Sequence, residues 1–188
     1  MSVTVDLMVD SGVPDDPPVP NEDMMSSWCA AARQVLCEDA RCALSYGKPV
    51  TLSVRVVTPD VSADFNLNYR QRNYPTNVLS FGSELPDFVL ESLGEQPLGD
   101  LVICAEVIAR EAAEQGKPLL HHWAHMLVHG FLHLNGLDHE NDIEAQHMEE
   151  LERQILATLD IADPYQEPTA TSYQEQPRVE PQPMVSAG

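Results

Sequence analysis

The sequence predicts an α+β fold, in which a small mixed sheet of about four strands packs with helices around a central histidine-bearing helix. Segments with apolar residues at every second position are interspersed along the chain with segments whose apolar residues recur every three or four positions. Residues 118–134 are apolar over most of a helical circumference, as expected of a helix buried within the fold. The 43% hydrophobic and 21% charged residues are ordinary for a globular domain.

The first part of the chain contains two predicted strands and one predicted helix. Val3–Val9 alternates apolar and polar residues and then breaks in a loop rich in glycine, proline and acid, which predicts a strand. Apolar residues recur at helical spacing in Glu22–Leu36, which predicts an amphipathic helix. The valines of Val50–Val57 predict a second strand, and residues 58–60 (Thr-Pro-Asp) close it and start a short helical turn.

The second part is predicted to contain two short strands, at residues 78–81 and 98–104, separated by a loop rich in glycine, proline and acid. Three helices follow, at residues 105–114, 118–134 and 142–159.

Length and composition predict one domain at residues 1–165 and a disordered tail, rich in proline and glutamine, at residues 166–188.

No run approaches the roughly 18 unbroken apolar residues that a membrane helix needs. Residues 1–20 carry acids where a signal peptide would carry Lys or Arg. The expected protein is therefore cytoplasmic and without a membrane partner, and its four cysteines, which form no CxxC pair, are expected to be reduced.

The net charge of −20 is that of an acidic protein, because 30 Asp and Glu residues outnumber 10 Lys and Arg residues. A protein that binds nucleic acid through its bulk electrostatics carries the opposite balance. Any RNA-binding site in this chain must therefore be a local exception.

Four histidines share one stripe of the predicted central helix, because they lie three or four residues apart. They are His122, His125, His129 and His133. Burying several imidazoles on an apolar helix costs desolvation at each ring, which hydrogen bonds or a metal ion must offset.

The spacing of His129, His133 and His139 predicts a three-ligand metal site. Two histidines four apart on a helix can reach one ion, and Gly136 can take the left-handed conformation that ends the helix and lets His139 approach from the loop. Three imidazoles on tetrahedral zinc leave one position open to water, whose pKa can fall to about 7. We therefore expect one Zn²⁺ per chain and a catalytic zinc-bound water, although three imidazoles could also hold nickel or another divalent ion.

Two further residues are candidates for supporting roles. Asp138 could be a fourth ligand, but a carboxylate next to His139 more readily orients an imidazole or caps the turn. His125 lies one turn before His129 and could hydrogen-bond near the metal, or be a core residue. No role is assigned to His121, His122 or His147.

The same histidine spacing occurs in the metzincin proteases, whose motif is HExxHxxGxxH. Those enzymes use the glutamate as general base and proton donor, and this chain has Gly130 at that position. The proton shuttle for amide hydrolysis is missing, which disfavours a metalloprotease.

The full motif at residues 129–139, HGFLHLNGLDH, resembles the HGxLHLxGyDH signature of the YbeY family of endoribonucleases. Three further stretches resemble that family: FNLNYR at residues 65–70, PTNVLSF at residues 75–81 and LGDLVI at residues 98–103. The resemblance covers roughly residues 50–165. The family usually has Gly and Asp where this chain has Gln71 and Asn73.

Two arginines cluster beside an aromatic residue in this acidic chain, at Arg70 and Arg72. A guanidinium can bind phosphate oxygens through two hydrogen bonds, although from the sequence alone a surface ion pair is the commoner arrangement. The resemblance implies a catalytic role for Arg70, which is also a candidate RNA-binding residue. Arg72 is a second RNA-binding candidate, about which the resemblance decides nothing.

By resemblance the protein would be a single-strand-specific, zinc-dependent endoribonuclease in rRNA processing. Its substrate would be precursor ribosomal RNA, at the 3′ end of the small-subunit (16S) RNA, with a role in ribosome quality control. The acidity suggests that it meets RNA within the preribosomal small subunit and docks on basic ribosomal proteins. The alternative is a ribosome-assembly factor in which zinc is structural. No oligomeric state is predicted.

Overall fold

A computed structural model describes residues 2–39, 47–138 and 141–166, apart from the side chain of Asp87. Within these ranges the chain forms four strands and six helices, which confirms the predicted α+β class. The elements are, in chain order, β1 (Val3–Val9), α1 (Glu22–Leu36), β2 (Val50–Val57), α2 (Pro59–Arg70), β3 (Val78–Gly82), α3 (Asp87–Ser92), β4 (Gln96–Cys104), α4 (Ala105–Glu114), α5 (Leu119–Leu134) and α6 (Asp142–Thr158). His139, Cys42 and residues 167–188 of the predicted tail lie outside the described ranges.

The strands form one mixed sheet in the order β1-β2-β4-β3. The pairs β1–β2 and β2–β4 are parallel, and β3 pairs antiparallel with β4. The predicted small mixed sheet of four strands is therefore confirmed, with β3 at one edge.

The two faces of the sheet pack against different helices. Alternate side chains such as Val54, Leu101 and Ile103 join the main core with the apolar faces of α1, α5 and α6. The residues between them, Val57 and Val102 among others, form a smaller cluster with Leu79 and the α2 side chains Val61 and Phe65. The helices α5 and α2 thus lie on opposite faces of the sheet.

The helix α5 is central, as predicted. Nearly all residues in its middle turns are buried, and the helix contacts α1, α4, α6, β3 and β4. Gly130 faces the sheet, where a Cβ atom would lie 2.9 Å from Leu101 Cδ2 and 3.2 Å from Val78 Cγ2. The hydroxyl of Ser80 donates a hydrogen bond of 3.3 Å to the Gly130 carbonyl, so the helix lies directly against the edge strand.

The prediction of only a short helical turn after β2 was wrong, because α2 continues for 12 residues to Arg70. Its buried residues are Ser62 and Asn66, which bond to the carbonyl oxygens of Thr76 and Tyr74 in the next loop at 2.9 and 2.7 Å. Because these two buried residues are polar, the apolar pattern of α2 is too weak to reveal its length. The predicted loop before β4 also contains α3, whose six residues are too short for a periodic pattern.

None of the helices in the described part of the chain is both long and apolar enough to cross a membrane. Cys29 and Cys104 are buried thiols without a disulfide partner.

Candidate metal centre

His129 and His133 lie one turn apart on α5 with their imidazole rings facing each other. Their Nε2 atoms are 3.2 Å apart, and the rings meet edge to face with centroids separated by 4.7 Å. Two nitrogen ligands at 2.0–2.1 Å from a tetrahedral zinc ion would be about 3.3 Å apart. The two nitrogens are therefore spaced as ligands of one ion, and the same spacing suits an N–H···N hydrogen bond when no ion is bound.

The other nitrogen of His129 contacts a buried carboxylate on α6. Its Nδ1 atom lies 2.7 Å from Glu152 Oε1, and Glu152 is fully buried. Because an ionised carboxylate only accepts hydrogen bonds, Nδ1 carries the proton and Nε2 keeps its lone pair toward His133. A carboxylate behind a ligating imidazole is the usual support of a histidine metal ligand.

Glu152 is an anion although it is buried. Burial alone would raise the pKa of its carboxyl group, but the hydrogen-bonding contacts with His125 and His129 outweigh that effect and lower the pKa to about 2. The carboxylate is therefore available to accept the Nδ1 proton of His129 throughout the physiological pH range.

His125 lies behind the pair, one turn before His129. It is almost fully buried, and its Nε2 atom is 3.5 Å from Glu152 Oε2, a long contact. The same oxygen accepts a hydrogen bond from the hydroxyl of Tyr165. His125 thus meets the carboxylate that holds His129 and not the space between His129 and His133.

Asp138 follows the end of α5, and its Oδ1 atom lies 3.9 Å from Nδ1 of His133. That nitrogen is the one directed away from His129. This position suits a carboxylate that orients the His133 ring better than it suits a fourth metal ligand.

The chain turns sharply after α5 at Gly136, which has the predicted left-handed conformation with φ 80°. The amides of Gly136 and Leu137 donate hydrogen bonds of 3.0 and 3.2 Å to the carbonyls of His133 and Leu132, the pattern of a Schellman motif. The turn directs the chain back toward the end of α5 three residues before His139.

Within the described ranges no group of three His, Cys, Asp or Glu side chains is arranged to hold a metal ion, and His139 lies outside them.

Arg70 is the last residue of α2 and Arg72 lies two residues beyond it, on the face of the sheet opposite α5, and both are exposed. Tyr69, which precedes Arg70, and Phe81 of β3 pack their rings edge to face with centroids 4.8 Å apart. The neighbouring residue of β3, Ser80, bonds to Gly130 beside His129. The arginines and the histidine pair thus lie on two sides of the same edge strand.

Two of the remaining histidines connect elements of the fold. His122 is buried, and its Nε2 atom lies 2.9 Å from Glu111 of α4. His147 of α6 lies 2.7 Å from Asp39 after α1. His121 is half-buried at the start of α5.

Residues 19–160 match the family described as Endoribonuclease YbeY. The chain belongs to the YbeY family. Among relatives named Endoribonuclease YbeY, that of Halorhodospira halophila is 58% identical over 65% of this chain and 79% of its own length. That of Xanthomonas axonopodis is 49% identical over 78% of this chain and 85% of its own. A solution structure of a Thermotoga maritima protein aligns with TM-score 0.48 and 17% identity, over 86% of this chain and 99% of that one.

Sequence reasoning missed two residues of this site. Glu152 was detectable, because it is a charged residue on the inward stripe of α6, between Met148 and Ile155. Tyr165 was not detectable, because its contact depends on how the chain turns after α6. It also lies beyond the part of the chain that matches the YbeY family, which ends at residue 160.

Proposed function

We propose that this member of the YbeY family is a single-strand-specific endoribonuclease that depends on one Zn²⁺ ion held by His129, His133 and His139. Its substrate would be precursor ribosomal RNA, at the 3′ end of the 16S RNA, and it would act in ribosome quality control. The observation that carries the metal proposal is the 3.2 Å separation of the two Nε2 atoms, with the His129 proton held on Nδ1 by Glu152. The endoribonuclease proposal rests on family membership.

The residues have distinct roles in this proposal. His129 directs an unprotonated Nε2 at the point that Nε2 of His133 also faces, and Glu152 keeps the His129 proton on the opposite side of the ring. When bound, zinc would acidify a water molecule or polarise a phosphate oxygen. Arg70 would bind the scissile phosphate through its guanidinium, and Arg72 would bind a neighbouring phosphate.

The edge strand β3 suggests how RNA reaches both groups. Ser80 contacts the helix turn that carries His129, and Phe81 contacts the turn that carries Arg70. A flexible single strand can bend around such an edge, whereas a stiff duplex cannot. This arrangement supports a preference for single-stranded RNA.

The groove beside α2, on the face of the sheet opposite α5, supports docking on basic ribosomal proteins of the preribosomal small subunit. A groove of about 1120 Å³ covers this face and is lined by four exposed acids. They are Asp6, Glu84, Glu95 and Asp100. Arg55, the cation in the groove, is paired with Asp10 through two hydrogen bonds of 2.9 and 2.8 Å. The groove is therefore a poor surface for RNA and a good one for a cationic protein segment.

The proposal is tested by zinc analysis and cleavage of a single-stranded RNA with the wild-type protein and three variants. His133→Ala and His139→Ala should each lose most of the zinc and the cleavage. Arg70→Ala should keep the zinc and lose cleavage. His121→Ala is the matched control, because it removes a histidine of the same helix outside the site and should keep both.

Less than one zinc per wild-type chain, together with cleavage that all three variants retain, would overturn the proposal. If His133→Ala unfolds when zinc is lost, the ion is structural and the alternative of an assembly factor is favoured. Cleavage of a peptide by the zinc-loaded protein would instead indicate a protease.

A further inference from the structure

The chain folds back on itself after α6. Asp160 has a left-handed conformation with φ 57°. The amides of Asp160 and Ile161 donate hydrogen bonds of 3.2 and 3.0 Å to the carbonyls of Ala157 and Leu156, which is again the Schellman pattern. The turn sends residues 161–166 back along the helix that they have just left. We call residues 161–166 the return segment.

The return segment is fixed at several points to the rest of the domain. Lys117 Nζ, just before α5, donates a hydrogen bond of 2.7 Å to the Pro164 carbonyl. Arg153 of α6 lies 3.5 Å from the Asp163 carboxylate and also covers the ring of Tyr165, with its Cζ atom 5.0 Å from the ring centroid. These contacts hold Tyr165 over the middle of α6.

The hydroxyl of Tyr165 reaches the carboxylate that supports His129. It donates a hydrogen bond to Glu152 Oε2, while Glu152 Oε1 accepts from His129 Nδ1. The Tyr165 ring also meets the His125 ring edge to face at 5.6 Å. Each oxygen of the buried carboxylate therefore has a donor of its own, and the orientation of the carboxylate is set by both.

Loss of the phenol would change the hydrogen bonding of Glu152. Its Oε2 atom would keep only the 3.5 Å contact with His125. A fully buried carboxylate oxygen without a good donor is costly, so the group would rotate toward His125 at the expense of the bond to His129. The His129 proton could then move to Nε2, which would remove the lone pair that faces His133.

We propose that Tyr165 is a positioning residue for the metal centre, which acts through Glu152 to keep the proton of His129 on Nδ1. The proposal rests on the proposed role of His129 as a zinc ligand. The return segment lies outside the residues that match the YbeY family, so it adds a support to the site that the family match does not include.

The test uses the full chain with Tyr165→Phe, which keeps the ring on Arg153 and His125 and removes only the hydroxyl. Zinc affinity is measured by competition with a chelator, and the tautomer of His129 is measured in the metal-free protein from its imidazole ¹⁵N chemical shifts. We expect zinc to bind about tenfold more weakly, at the low end of the effect of removing such a support. We also expect the Nε2–H tautomer of His129 to become populated.

Two further variants serve as a control and as an independent perturbation of the return segment. Tyr74→Phe removes the hydroxyl of an exposed tyrosine in the loop after α2 and should leave both measurements unchanged. Lys117→Met loosens the return segment without touching Tyr165, so it should shift both measurements in the same direction by a smaller amount. It also provides the test if Tyr165→Phe does not fold.

Wild-type zinc affinity and an unchanged His129 tautomer in Tyr165→Phe and Lys117→Met would overturn the proposal. A wild-type chain that binds no zinc would instead overturn the proposed function. In that case the tautomer in the metal-free protein alone decides whether Tyr165 positions His129.

Discussion

At Gly130 the helix that carries the histidines can accept a side chain only if neighbouring side chains shift. The Cβ of any other residue would approach Leu101 and Val78, whose side chains belong to a closely packed sheet. The position that a protease fills with its general base is thus used here for contact between helix and sheet. The absence of the glutamate, which disfavoured a protease, has a structural reason in this fold.

We predict that Gly130→Ala lowers the free energy of unfolding by about 1–3 kcal/mol, because overpacking displaces the neighbouring side chains. Urea denaturation of the metal-free protein measures this change. Gly94→Ala is the control, since a Cβ at Gly94 meets nothing within 4 Å, and it should change stability little. Equal stability of both variants and the wild type would show that the helix can move away from the sheet.

Gln71 ends α2 in the left-handed conformation, with φ 58°. A residue with a Cβ atom is strained there, whereas glycine is not. We predict that Gln71→Gly raises the free energy of unfolding by about 0.5–1 kcal/mol, while Gln71→Ala leaves it nearly unchanged. Thermal denaturation should show the difference, and destabilisation by glycine would mean that the Gln71 side chain makes a contact more valuable than the strain it causes.

At the scale of elements, Glu111 connects three parts of the fold. Its carboxylate on α4 accepts hydrogen bonds from His122 of α5, at 2.9 Å, and from the side-chain amide of Asn77 before β3, at 3.1 Å. The hydrogen bond with His122 lowers the pKa of Glu111 more than burial raises it, and Asn77 adds to the lowering. The carboxylate is stabilised in the folded state in its charged form.

We predict that Glu111→Ala lowers the free energy of unfolding by about 2 kcal/mol at pH 7, because it leaves buried His122 without its partner. The pKa of Glu111 is lower in the folded state, so its contribution is complete above the ordinary carboxyl pKa of about 4.3 and is lost as the pH falls below it. Urea titrations from pH 7 to pH 3 of the wild type and Glu111→Gln test this. The same pH dependence in both proteins would assign the effect to another carboxylate.

The strands and the longer helices were predictable because each has a regular apolar pattern. The helix α2 was not, since its two fully buried residues, Ser62 and Asn66, are polar and weaken its apolar pattern. The order β1-β2-β4-β3 was also beyond the sequence, because alternation indicates that a strand has two faces but not which strand lies beside it.

The candidate site likewise contains residues whose placement could be predicted from the sequence and residues whose placement could not. The spacing of its histidines depends only on the helical repeat, so the juxtaposition of His129 and His133 could be predicted. The bond of Glu152 to His129 joins residues 23 positions apart on two helices, and only their packing brings it about. The position of Arg70 on the far side of β3 likewise follows from the layer arrangement and not from any local pattern.

At the scale of the whole molecule, the excess of negative charge makes any arginine that contacts a phosphate important for RNA binding. Arg70 and Arg72 lie close together in a chain of net charge −20, so a phosphate held there is surrounded by repulsive charge. RNA affinity should therefore depend strongly on the few cations that touch phosphate.

We predict that Arg70→Ala lowers the cleavage rate about 100-fold or more, as expected when a cation that stabilises transition-state charge is lost. It should also make the slope of log affinity against log salt shallower by about 0.7, the value for one phosphate contact to a single strand. Arg110→Ala is the matched control, because it removes the same charge from an exposed position on α4. If both variants behave alike, only the net charge matters and Arg70 has no specific contact.

The burial of α5 also determines how the site moves. A helix enclosed by the sheet and by α1, α4 and α6 can expose its amides to hydrogen exchange only when the whole domain opens. The imidazoles of His129 and His133 are carried by that rigid helix, so they keep their mutual distance whether or not an ion is present. An arriving ion would then have little chain entropy to remove, and in the proposed metal site the two nitrogens would act as a preorganised bidentate chelate.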